Sequence, residues 1–157
     1  MNEKYMELAL KEARKSLKSM DVPVGCVIVK NDKVIGKGFN MRNKKNNSIM
    51  HAEMIAISKA CKHEKDWVLE DSTMYVTLEP CAMCAGAILQ SRIKKLVIGA
   101  DSEKSGSFGS VINMNEILDN EKFNHKVEIE KGILKEECSK ILTNFFEKLR
   151  TKNNKEN

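Results

Sequence analysis

The pattern that most restricts how this chain can fold is a β-rich hairpin followed by strand–helix alternation. VGCVIVK (24–30) and KVIGKGF (33–39) are β-branched runs joined by Asn31-Asp32, which reads as a hairpin. STMYVTL (72–78), KKLVIGA (94–100) and KVEIEKG (126–132) read as three further strands. Helical spacing falls between and around them: residues 3–18, residues 51–62, a stretch opening at Pro80, and 133–150. Pro80 suits a first helical turn, and VINMNEIL suits a short helix. The order αββαβαβ(α)βα predicts an α/β fold: a five-stranded mixed sheet with helices on both faces, three layers deep.

The 157 residues, 41% of them hydrophobic, suit one compact domain with a real core. Residues 1–150 are read as that domain. The apolar-free end TKNNKEN (151–157) is read as a disordered tail. The Asn-rich stretch 40–49 and the stretch 101–110 are read as loops. No run of about 18 apolar residues exists, and the first twenty residues mix acids and bases, so a cytoplasmic protein is expected. A net charge of +5 is compatible with an anionic partner and does not demand one. Its clusters, at Arg42-Lys44-Lys45, at Arg92-Lys94-Lys95 and near the C-terminus, most simply form solvated faces.

Five cysteines, an odd number in a chain of cytosolic character, argue against structural disulfides. Cys26, Cys61 and Cys138 lie in apolar or helical patterns and read as small hydrophobes. Cys81 and Cys84, in EPCAMC (79–84), are paired by spacing. At a helix start, i and i+3 share a face, and the helix terminus favours thiolates. Two thiolates make half a zinc site or a redox couple. His51, in MHAEM (50–54), supplies a third ligand type at another helix start. Three protein ligands leave one tetrahedral position open, where water becomes a nucleophile at neutral pH. Glu53, two residues on, is of the right type to move protons there without binding the metal. His63 and His125 sit in polar surroundings and read as surface residues.

His-Ala-Glu at 51–53 followed by Pro80-Cys81-Ala82-Met83-Cys84 resembles the zinc-dependent cytidine deaminase superfamily. VPVGCVIV (22–29), TMYVTLEPCAMCAGAILQSRI (73–93), VIGA (97–100), FNHKVEIEKGIL (123–134) and the Phe pair 145–146 are similar to the bacterial tRNA adenosine deaminase family. The resemblance covers nearly the whole chain and implies a cytidine-deaminase-like fold. It also implies a zinc-dependent hydrolase that converts the wobble adenosine of an arginine tRNA to inosine, working as a homodimer on the anticodon loop.

The same resemblance implies one zinc per subunit on His51, Cys81 and Cys84, with Glu53 as the proton carrier. It implies base contacts from Asn40 and the Ala52 backbone, a pocket wall at Val24, and an anticodon-loop contact at Phe146. Without the resemblance, Asn40 reads first as a turn residue closing a strand, and Phe145 and Phe146 cannot both face away from a core. Two stretches depart from the family pattern, Asn47-Ser48-Ile49-Met50 before the histidine and Ser102-Glu103-Lys104-Ser105-Gly106 after the fourth strand. A zinc-dependent deaminase of a free base or nucleoside is the alternative, and a non-catalytic zinc-binding or RNA-binding module a third reading.

Overall fold

A computed structural model describes residues 1–119 and 122–156. The five strands are β1 (Gly25–Lys30), β2 (Lys33–Phe39), β3 (Ser72–Leu78), β4 (Lys95–Ala100) and β5 (Glu128–Lys131). They form one sheet in the order β2-β1-β3-β4-β5. β1 runs antiparallel to both β2 and β3, and β3, β4 and β5 are mutually parallel. The expected mixed sheet is therefore present, with the hairpin at one edge.

Alternation along the central strands builds two cores. Cys26 and Ile28 of β1, Met74 and Val76 of β3, and Leu96 and Ile98 of β4 face one side. There they meet Ala52, Ala56 and Ala60 of α3 (Ala52–Glu64) and Ala85, Ile88 and Leu89 of α4 (Ala82–Gln90). Val27, Val29, Tyr75 and Val97 face the other side. These meet Tyr5, Met6, Ala9 and Leu10 of α1 (Asn2–Lys15) and Cys138 of α6 (Lys135–Glu156). Strands covered on both faces read as near-continuous apolar runs, which is why they stand out in the sequence. Each fully buried Leu or Ile contributes about 1.5–3 kcal/mol relative to exposure.

Helix boundaries differ from expectation in ways that matter for the site. α1 ends at Lys15 and passes into a 3-10 turn over Ser16–Ser19. α4 starts at Ala82, so Pro80 lies ahead of the helix and Cys81 is its N-cap. His51 likewise caps α3 from outside. The Asn-rich segment contains a short helix, α2 (Arg42–Lys45), and a second short helix, α5 (Met114–Ile117), falls inside VINMNEIL. α2 lacks a capping side chain of its own. Asp21, buried twenty-odd residues upstream, supplies it by accepting from Asn43 N at 2.6 Å and Lys44 N at 3.2 Å. A cap delivered from a distant segment cannot be read locally.

α6 continues through the stretch expected as a tail, to Glu156, with residues 151–156 exposed throughout. Asn157 lies outside the described residues. No helix among the described residues is long and apolar enough to cross a membrane.

Candidate zinc and base-binding site

The site lies at the end of the sheet where β2 and β3 finish and β1 begins. Both ligand-bearing helices point their N-termini into it. His51 and Cys81 hold extended backbone angles, φ −77°, ψ 154° and φ −74°, ψ 174°, so each side chain projects ahead of its helix. Cys84 follows one turn inside α4 and is fully buried. His51 Nδ1 stands 3.7 Å from Cys81 Sγ and 3.5 Å from Cys84 Sγ. A tetrahedral zinc with Zn–N and Zn–S bonds of ordinary length requires ligand separations of about 3.6 Å. The three atoms therefore fit one metal ion, and all lie within 4.8 Å of one another.

All five cysteines are free thiols. The Cys84 thiol, donating to Cys81, and the His51 ring beside it hold the Cys81 thiol far down, at about 3. Cys84 is pushed up by the same partnership and by burial. The hydrogen bond to Cys81 raises His51. The cluster is thus already biased toward one thiolate, assisted by the positive end of α4. Cys26 and Cys138 are buried and raised by desolvation, as expected of hydrophobes, whereas Cys61 is only half-buried. His63 is exposed beside Glu64, and His125 is half-buried against the Ile93 carbonyl at 3.0 Å.

Glu53, in the first turn of α3, is 4% exposed. Burial lifts its carboxyl to about 7, against the opposing pull of its own backbone amide and of His51. A group poised near neutrality beside a metal-ligand cluster is of the kind that can accept and return protons. It stands outside the ligand set.

A cavity of about 190 Å³ opens over these groups. Val24, Asn40, Ala52, His51, Glu53 and Cys81 all line it. Asn40 is oriented by donating from Nδ2 to the Val22 carbonyl at 3.1 Å and accepting from Arg42 N at Oδ1 at 3.2 Å. Phe146 does not reach this cavity. It lies in an adjoining groove of about 710 Å³ lined also by Lys104, Ser105, Lys135 and Arg150. Phe146 is 42% exposed while Phe145 is 7% exposed, so the pair divides between surface and core.

Four residues that shape the site have no role in it in the sequence reading, which places Arg42 on a solvated face and Ser105 in a loop. Arg42 and Ser105 line the cavity, Asp21 caps α2, and Glu79 binds the 102–110 loop. The signal for Glu79 was its place, a carboxylate closing an apolar strand directly ahead of Pro80-Cys81. The basic cluster at Arg92-Lys94-Lys95 is engaged internally: Lys95 pairs with Glu130 at 2.7 Å, Lys94 with Asp71, and Arg92 with the Phe123 carbonyl.

Residues 1–100 match the family described as the cytidine and deoxycytidylate deaminase zinc-binding region. A tRNA-specific adenosine deaminase of Streptococcus pyogenes serotype M1 is 48% identical over 142 residues, covering 90% of this chain and 81% of its own. That of Bacillus subtilis strain 168 is 46% identical over 151 residues, covering 96% and 92%. A solved structure from work on A-to-I editing by tRNA:A34 deaminases at the wobble position of transfer RNA superposes with a TM-score of 0.80. It is 34% identical, covering 88% of this chain and 99% of that one.

Proposed function

The chain belongs to the cytidine and deoxycytidylate deaminase zinc-binding family, and from that membership we propose that it hydrolyses the wobble adenosine of a tRNA, an arginine tRNA by resemblance, to inosine and ammonia. The observation that carries the chemistry is Glu53, a buried carboxylate raised to about 7 in the cavity of the ligand cluster, yet outside that cluster. The choice of substrate rests on relatives 46–48% identical over most of the chain.

His51, Cys81 and Cys84 would hold zinc, one per subunit. Zinc bound there supplies the Lewis acidity that makes a nucleophile of water at neutral pH. Glu53 accepts a proton from the attacking water and delivers it to the purine ring as C6 takes the oxygen. It then assists the second proton transfer, to the departing amine. Asn40, with one amide hydrogen and one acceptor position beyond the contacts that orient it, hydrogen-bonds the base. The Ala52 backbone contacts the base, and Val24 walls the pocket.

The small cavity suits a single extruded base, whereas drug-sized pockets run to about 300–1,000 Å³. The nucleotides beside the base lie in the adjoining groove, where Lys104, Lys135 and Arg150 meet phosphates and Phe146 offers an aromatic face. A homodimer acting on an anticodon loop in the cytoplasm completes this reading.

The test is inosine formation in an anticodon stem-loop carrying a wobble adenosine, with free adenosine, guanine and cytidine in parallel. The stem-loop alone is expected to react. A Glu53→Gln variant is expected to retain its zinc and lose about 10²–10⁴-fold in kcat. Turnover of small molecules only would replace the substrate reading with a free-base or nucleoside deaminase. Undiminished activity in the variant would remove Glu53 from the mechanism.

A further inference from the structure

The side chain of Glu79 is completely buried, and its polar partners, from Ser102, Phe108, Ser110 and Lys131, are all donors. Its Oε1 accepts from Phe108 N at 2.9 Å and Ser110 N at 3.2 Å. Its Oε2 accepts from Ser102 N at 3.1 Å and from the Ser110 hydroxyl. Lys131 Nζ approaches Oε1 at 3.4 Å and also pairs with Asp101 at 3.1 Å. Both oxygens act as acceptors, so a carboxamide could not replace them without turning an N–H₂ toward donors.

The loop is shaped around this charge. A Cβ on Gly106 would overlap the Glu79 carboxylate, so the glycine is the space the carboxylate occupies. Glu79 N donates to the Ala100 carbonyl at 2.9 Å, and the Pro80 carbonyl accepts from Ser107 N at 2.9 Å. The segment that leads into the ligand Cys81 is thereby stitched to the same loop. Ser105 at the loop's tip lines the small cavity, and Ser102, Glu103, Lys104 and Ser105 line the adjoining groove. Ser105, with Val22 and Leu78, lines both, so the loop forms part of the wall between them.

We propose that Glu79 is a positioning residue for nucleotide recognition: its carboxylate is the centre around which residues 102–110 fold, and it thereby sets the loop's part of the wall shared by the base pocket and the groove for neighbouring nucleotides. This deepens the tRNA reading and rests on it. Glu79 acts through the loop, so its removal weakens substrate binding more than the chemical step.

The test compares zinc-loaded wild type, Glu79→Gln, Glu79→Asp and Gly106→Ala by zinc content, hydrogen exchange and kinetics on the anticodon stem-loop. Glu79→Gln is expected to keep one zinc per chain and to lose at least about tenfold protection at the 102–110 amides. Its KM should rise about tenfold or more with kcat within about threefold of wild type. Glu79→Asp, which keeps two acceptor oxygens, should recover part of both losses. Gly106→Ala, which leaves the carboxylate and crowds it, should reproduce the pattern and decides the matter if Glu79→Gln does not fold.

Wild-type loop protection in Glu79→Gln, a loss confined to kcat, or loss of zinc with the loop still protected would overturn the proposal. So would wild-type KM and protection in Gly106→Ala. A wild type that deaminates small molecules and not the stem-loop overturns the substrate reading instead, while exchange still decides whether Glu79 holds the loop.

Discussion

Gly38 of β2 lies directly beneath Ala52 at the start of α3: a Cβ on Gly38 would overlap the Ala52 carbonyl oxygen and come within 2.9 Å of Ala56 N. The bare strand lets the first turn of α3 sink onto the sheet, and that turn carries Glu53 and is capped by His51. Gly36 makes the same accommodation one turn later, against Ala56 and Ala60. The depth of one metal ligand is thus set by a glycine thirteen residues earlier.

Gly38→Ala should lower stability by about 1–3 kcal/mol, as overpacking does. It should also weaken zinc binding, because α3 must lift and take His51 with it. Denaturant melts and a competitive zinc titration check the two effects. Wild-type zinc affinity in a destabilised variant would show that α3 can shift without its cap.

The pH dependence of Glu53 is isolated by comparison with Glu53→Gln in chelator-treated protein. The folded carboxyl, at about 7, lies above its unfolded value of about 4.5. Between those values the native state binds more protons than the unfolded one, so this group's contribution is present below about 4.5 and is lost as pH rises through about 7. Wild type should therefore lose about 3 kcal/mol relative to Glu53→Gln across that window. Paired denaturant titrations from pH 4 to pH 8 read the difference directly.

Asp21→Asn should cost about 1–3 kcal/mol, since it replaces charge-assisted bonds to the first turn of α2 and to the Ser19 hydroxyl. Arg42 opens α2 and lines the base cavity, so KM for the stem-loop should rise with the loss. Exchange at the Asn43 and Lys44 amides is the local readout. Unchanged protection there would assign the cap elsewhere.

The adjacent phenylalanines of α6 should separate cleanly. Phe145→Ala is expected to cost about 3–5 kcal/mol as a core truncation. Phe146→Ala, which removes only an edge contact with the Phe145 ring at 5.2 Å, should cost less, about 0.5–1.5 kcal/mol. It should raise KM for the stem-loop about tenfold, the value of one lost base-stacking contact. A Phe146 variant with wild-type KM would remove that ring from the RNA surface.

The strands and the ligands were legible in the sequence because their signals are local. Val27 and Val29 alternate with Cys26 and Ile28 whatever packs above them, and Cys81 and Cys84 carry their spacing with them. Helix starts were legible to within a residue or two. Pro80 suits a first turn by propensity, but the Ser107 amide claims its carbonyl, so α4 begins at Ala82 and Cys81 becomes the cap. α2 was missed because the group that caps it is Asp21.

By itself the sequence determined a five-stranded mixed sheet, the His51, Cys81 and Cys84 cluster that can hold one metal ion, and a carboxylate beside it, since backbone period and side-chain chemistry travel with the residue. The tertiary structure alone decided how deep α3 sits, how closely His51 approaches the two thiols, and what holds the 102–110 loop. Those depend on groups distant along the chain meeting in a dry interior: Gly38 under Ala52, His51 against Cys81 and Cys84, Glu79 among the amides of Ser102, Phe108 and Ser110. There a bare Cα or a single buried charge sets geometry that no local pattern encodes.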